Sequence, residues 1–289
     1  LTITPMIAPS TPRRAAVSSL SAALVHGPVR SAGVVASGRL GCYLLLDPLE
    51  AHDDGVVRPV LPVLTRAALA LPTAVQLAAA EAPVLEVGGR AEVGEGRITA
   101  PGTRIDVVRT FRPARVRRCA APAGTGPTSR DGSSPDPGAE PGQEPSVDDG
   151  NGATTGLRAI LQTRLGLGPG LTPEGDDEIA GHLLVAAATG GWLPDLEPHL
   201  HRTTALSASL LRAAAQGYAV PAVVAYVDAV LANDHLTAAR LRPTIEAIGH
   251  TSGPALLRGI HAAAQLHESH PSALPHRGAS ADLHERTVA

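Results

Sequence analysis

Lysine is absent from this 289-residue chain. All 24 basic residues are arginine, set against 27 acids for a formal net charge of -3. A near-neutral chain of this kind lacks the basic face that displaces counterions from a nucleic acid. Aromatic residues are almost as scarce: Trp192, Tyr43, Tyr218, Tyr226 and Phe111 are the whole set. They are too few for a base-stacking platform. No run approaches the ~18 uninterrupted apolar residues of a membrane span. Two cysteines, Cys42 and Cys119, supply neither a disulfide framework nor a Cys-rich zinc site. These absences point to a soluble, cytoplasmic protein that engages neither nucleic acid nor membrane. Its core has to come from Ala, Val, Leu and Ile, packed closely around small side chains.

What is present divides the chain into unlike parts. Arg13-Arg14 and the small, apolar run Ala15 to Val25 have the outline of a signal peptide, but three serines break the run, and an amphipathic first helix is the preferred reading. Gly27 to Asp47 reads as a hairpin turning at Ser37-Gly38. Residues 60–82 suggest one or two short helices. From Val84 to Val108 short strands alternate with glycine turns, beginning with Val84-Leu85-Glu86-Val87. The predicted unit over 1–118 is therefore mostly β, a small barrel or compact sheet with short helices.

Residues 121–152 hold six Pro, seven Gly, four Ser and six acids against one Arg. Such a composition buries too little apolar surface to offset its ordering entropy, which predicts a disordered linker over 119–153. After it, apolar residues fall at helical spacing in Leu157–Leu165, Ile179–Ala188, Thr203–Gln216, Ala222–Leu231, Leu236–Ile248 and Ala255–Leu266, with Gly217 and Gly249 as stop signals. This is a predicted helical bundle over 154–268, followed by a flexible tail over 269–289. The fold class is α+β.

The densest run of special residues is Gly166-Leu167-Gly168-Pro169-Gly170-Leu171-Thr172-Pro173-Glu174-Gly175-Asp176-Asp177. Thr172 fits an N-cap and Pro173 the first helical position. Glycines Gly168, Gly170 and Gly175, with Leu171 and Thr172, can turn backbone N–H groups toward an anion at the helix start. A tight structural turn explains the same glycines. The Gly-Lys-Ser/Thr ending of a phosphate-binding P-loop is missing. Asp176 and Asp177 either complement the helix dipole or act as catalytic carboxylates, orienting an amide or holding Mg²⁺.

A second loop, Gly249-His250-Thr251-Ser252-Gly253, offers hydroxyl and N–H donors at Thr251, Ser252 and Gly253, and His250 as a proton carrier. On spacing alone, a helix stop at Gly249 followed by Thr251 or Ser252 as the next cap is the preferred reading. Thr203-Thr204 caps a third helix, with Ser207 inside it. His199-X-His201 and His267-X-X-His270 have ligand-like spacing but no Cys or carboxylate partner, so solvated histidines are the preferred reading.

Gly168-Pro169-Gly170-Leu171-Thr172-Pro173-Glu174-Gly175-Asp176-Asp177 resembles the GxGLTPSGDD signature of the AllH-type family, a subunit of oxamate carbamoyltransferase. Thr203–Gly217 and Gly249–Gly253 are similar to the family's second and third blocks, in the same order. The resemblance implies a bacterial protein of allantoin and related nitrogen metabolism, which moves a carbamoyl group between oxamate and phosphate. It implies a small-molecule ligand, carbamoyl phosphate or a carbamoyl acceptor, and FdrA-like and AllG-like partner subunits. The sequence departs from the family pattern at Glu174, where Ser is usual, and at Pro254-Ala255, where Trp-Asp is usual. Three readings follow. The chain binds carbamoyl phosphate at the glycine-rich helix start as part of a carbamoyltransferase, or is a non-catalytic subunit of such an assembly, or handles phosphates or nucleotides in another reaction.

Overall fold

The computed structural model describes residues 12–48, 57–119 and 152–269. Most of the predicted linker and nearly all of the predicted tail lie outside the described residues. The first part is a closed eight-stranded barrel. Its strands are β1 (Arg13–Ser18), β2 (Arg30–Gly38), β3 (Gly41–Leu46), β4 (Val60–Leu64), β5 (Val75–Leu77), β6 (Arg90–Gly94), β7 (Arg97–Ala100) and β8 (Thr103–Phe111). Around the barrel they run β1-β5-β4-β3-β2-β6-β7-β8. The β1–β8 pair that closes the ring is parallel, as is β4–β5, and the other neighbours are antiparallel.

Alternation along each strand fills the interior. Val17, Val34, Leu44, Val63, Val93 and Ile105 meet inside, while their sequence neighbours turn outward. Closure removes the exposed edges that an open sheet would present.

Three expectations for this part are corrected. Ala15 to Val25 is not one amphipathic helix: β1 precedes a short helix α1 (Ala22–His26). Ala15 and Val17 point into the barrel at period two, and buried Ser18 donates to the Pro72 carbonyl. Residues 60–82 form strands β4 and β5 rather than helices. Every residue of β4 is buried, because its inner face lies in the barrel while Leu64 packs outward with Leu71 and Ala74 against Leu210 and Val220. A strand buried on both faces loses the alternation that would reveal it. Val84–Val87 is irregular rather than a strand, with Val84 and Val87 exposed. The predicted hairpin is present as β2–β3, its turn at Arg39-Leu40.

The second part holds α2 (Gly152–Arg164), α3 (Glu174–Thr189), a 3-10 helix (Glu197–Arg202), α4 (Ala205–Ala215), α5 (Pro221–Leu231), α6 (His235–Glu246) and α7 (Ser252–Ser269). The six predicted helical segments all occur. α3 is central: Ile179, Leu183, Leu184 and Val185 are buried against α2, α4 and α7. It crosses α7 at glycine. A Cβ on Gly259 would stand 2.0 Å from the Glu178 carbonyl oxygen and 3.2 Å from the Gly181 Cα. The Ala-rich helices thus approach through their backbones. Among the described residues, no helix is long and apolar enough to cross a membrane.

The chain leaving the barrel is tied to the helices before it exits the described region. Val116 N–H donates to Gly217 O at 2.9 Å, and Cys119 N–H to Ala188 O at 2.8 Å. Asp228 accepts from the Arg117 backbone N–H at 2.8 Å and its Nε at 3.0 Å. Val116 accordingly belongs to the helical core.

Candidate functional site

The glycine-rich loop joins α2 to α3, and its conformation is set by hydrogen bonds within the protein. Asp176 is 2 % exposed. One of its oxygens accepts from the Gly166 N–H at 2.7 Å, the other from the Thr203 hydroxyl. The carboxylate therefore pins the start of the loop to the segment leading into α4. Thr204 caps α4, accepting from the Ser207 N–H at 3.1 Å, and its hydroxyl donates to Leu171 O at 2.5 Å. The glycine-rich loop and the Thr203–Gly217 segment are one structural unit, joined by Asp176 and Thr204.

The start of α3 differs from expectation. Pro173, with φ -53 and ψ 141, occupies the cap position, and no side chain caps the helix. Thr172 instead turns its hydroxyl to the Ser252 hydroxyl at 3.2 Å. Three of the first-turn donors are spent inside the protein: Gly175 N–H on Leu167 O at 2.9 Å, Asp176 and Asp177 N–H on Pro173 O at 3.0 and 3.3 Å. Glu174, Asp176 and Asp177 also place three acids in that turn, which opposes an anion there despite the helix dipole. Gly175 serves close packing, since a Cβ would lie 1.9 Å from Arg164 O. Gly253 does the same on the other loop, 1.9 Å from Ile245 O, and its N–H donates to Ile248 O at 2.9 Å. Gly168, with φ +125, abuts the Glu174 backbone. Gly170, with φ +91, faces open space.

A cavity of about 280 Å³ lies between barrel and helices. Its wall is mainly apolar: Leu184, Leu206, Leu210 and Val223 from the helices, Tyr43, Leu71 and Pro72 from the barrel. Polar groups are concentrated at Thr172, Asp177 and Ser252, beside Leu171 and Gly249. Small-molecule sites commonly combine an apolar wall with a few placed polar groups.

Asp177 is the chemically distinctive member. It is 9 % exposed, and its Oδ2 is buried without a hydrogen-bond partner. Burial drives the carboxyl up to about 7, opposed by the Ser252 hydroxyl and reinforced by the charges of Asp176 and Glu174. Near neutral pH it exists in both protonation states. It can accept a hydrogen bond from an amide N–H, donate one to a carbonyl, or carry a proton.

The structure thus brings Leu171, Thr172, Asp177 and Ser252 to one cavity, separating them from other sequence candidates. Asp176 is adjacent but committed to the loop. Thr251 and Gly253 do not line the cavity, and His250 is exposed outside it. The residues do not fit a resident Mg²⁺ on Asp176 and Asp177. Both Asp176 oxygens are engaged, and Glu174 is paired with Arg258. Among the described residues no group of three or more His, Cys, Asp or Glu could hold a metal. Sequence reasoning missed Tyr43, Tyr218 and the aliphatic wall, because apolar lining residues carry the same pattern as core.

Barrel, helices and cavity together define a two-part α+β protein that can hold a small ligand against one buried acid. The family model for oxamate carbamoyltransferase subunit AllH matches residues 164–264. Over the glycine loop and the helices that follow, the chain is therefore similar to that subunit, as the motif resemblance implied. The match includes the helical wall of the cavity and Asp177 but not the barrel. No solved structure matches the chain.

Proposed function

We propose that the chain is a subunit of a carbamoyltransferase and that it binds the carbamoyl-bearing ligand in the Asp177 cavity. The observation that carries this is the unpartnered, buried Asp177 Oδ2 beside two hydroxyls in an apolar wall. A carbamoyl group is planar and uncharged, with an NH₂ donor and a carbonyl acceptor. Ionised Asp177 accepts from the NH₂, and Thr172 or Ser252 donates to the carbonyl. The same two contacts fit oxamate and carbamoyl phosphate. Among the described residues no arginine lines the cavity, so the carboxylate or phosphate end of the ligand stays directed toward solvent. Asp176 positions the loop without touching the ligand. FdrA-like and AllG-like subunits complete the assembly in this reading, and the family match over 164–264 supports it.

Thermal unfolding of the full chain with oxamate, carbamoyl phosphate or phosphate tests the site. At about 100 times its dissociation constant, a bound ligand stabilises the fold by about 2.7 kcal/mol. Stabilisation by oxamate or carbamoyl phosphate that Asp177→Asn abolishes is the expected result. No stabilisation by either compound, or equal stabilisation of the variant, overturns the assignment.

A further inference from the structure

On the outside of the barrel, a cleft of about 550 Å³ shares no lining residue with the Asp177 cavity. It crosses β5, β1 and β8. Ala16 and Ala78 leave room at its floor, and Arg14, Arg66, Arg109 and Gln76 supply its polar groups. No acid lines it. None of the ion pairs among the described residues uses any of these three arginines. Asp106 stands opposite Arg14 in the β1–β8 register, but Arg104 engages it at 2.9 Å.

The third arginine arrives by a backbone irregularity. Ile105 and Val107 point into the barrel, and unbroken alternation would send Arg109 inward after them. The register between β1 and β8 shifts between Ala15 and Ala16, so that Arg109 pairs with Ala16 and is exposed on the outer surface. A bulge that re-aims one side chain is a local device with a definite product. Here the product is a third guanidinium on a cleft that already holds two. Like charges converging without an acid repel one another, and an anion relieves that repulsion. Guanidinium forks match the paired oxygens of phosphate and carboxylate.

We propose that this cleft is a binding site for a multiply charged oxyanion, a phosphoryl or polycarboxylate compound. It stands independently of the carbamoyl reading.

Isothermal titration of the full chain with inorganic pyrophosphate, and separately with citrate, tests it at low ionic strength. Saturable binding of at least one anion is expected, with pyrophosphate alone marking a phosphoryl site and citrate alone a polycarboxylate site. Arg66→Ala and Arg109→Ala each weaken that binding by about tenfold or more, and added salt weakens it further. Arg109 sits at the bulge, so far-UV circular dichroism checks that variant's fold. Arg66 lies outside the strands and provides the same reading without that risk. Asp177→Asn leaves the anion affinity unchanged. Binding of neither anion overturns the proposal. So does an affinity unaltered in both arginine variants, or one lost in Asp177→Asn and kept in them.

Discussion

Barrel and helices bury different kinds of polar group. Inside and beneath the barrel the buried polar residues are Ser18, Ser21, Thr65 and Thr73, all neutral. Ser18 and Ser21 donate to the carbonyls of Pro72 and Thr73, tying β1 and its following turn to the loop before β5. Among the described residues the helical part buries Asp176, Asp177 and His182, all titratable, together with the neutral Ser207. A neutral hydroxyl that finds a carbonyl costs little to bury, whereas an ionisable group without a partner shifts its pKa instead. His182 shows the same effect with the opposite sign: burial holds its pKa below the usual value, against the pull of Glu178, and its Nε2 is unpartnered. The buried group that titrates near neutral pH is thus in the helices, whereas burial pushes the Cys42 thiol of the barrel up to about 11.

The contrast is sharpened most by Asp177. Its folded pKa, about 7, lies above the ordinary 3.8. Below pH ~4 the group is protonated folded or unfolded and contributes nothing. Between pH ~4 and ~7 the unfolded chain gives up the proton first, so stability falls as pH rises, and the loss is complete above pH ~7. The amplitude is at most about 4 kcal/mol for a shift of this size. Asp177→Asn should flatten the urea-denaturation stability of the chain between pH 4 and pH 8, leaving the variant the more stable form at the alkaline end. A profile as steep as that of the parent chain would place the responsive group elsewhere.

A smaller effect is expected at the α3–α7 crossing. Gly259→Ala puts a Cβ against the Glu178 carbonyl and should cost about 3 kcal/mol through forced separation of two packed helices. Next comes Asp176→Ala, which strands the Gly166 N–H and the Thr203 hydroxyl at a cost of about 2 kcal/mol. That loss is read by urea denaturation at a single pH. In the barrel, Ser18→Ala removes one buried bond and should cost about 1 kcal/mol with no pH dependence from pH 6 to pH 8. At the bottom of the scale, Glu246→Gln breaks the exposed Arg242 pair and should change the denaturation midpoint least of all, and less still in high salt.

The helices were legible because each apolar stripe repeats over ten or more residues and glycine stops follow two of them: Gly217 and Gly249 both adopt positive φ. The barrel was legible as a class, though not strand by strand. Runs such as Ala15–Val17 and Val60–Leu64 are short enough to suit a buried helix or a buried strand equally. Only pairing with β8 and β3 decides between them. The site was half legible. The motif and its resemblance led to the loop that borders the cavity, but Asp176 and Asp177 are indistinguishable there. They point about 100° apart around the helix, which sends Asp176 toward Gly166 and Thr203 and Asp177 into the cavity.

The amino-acid sequence by itself determined the α+β class, the six helical segments after the linker-like stretch, and the glycine loop that the family match later covered. Those are properties of local composition and period, carried by residues near one another in the chain. Tertiary structure decided the rest: that the strands close into a barrel, that Asp176 is a tether, and that Asp177 is left alone with a raised pKa. A pKa is set by the groups and the solvent around a carboxyl. For Asp177 burial among elements far apart in the chain raises it, and the hydroxyl of Ser252, also far along the chain, opposes that rise.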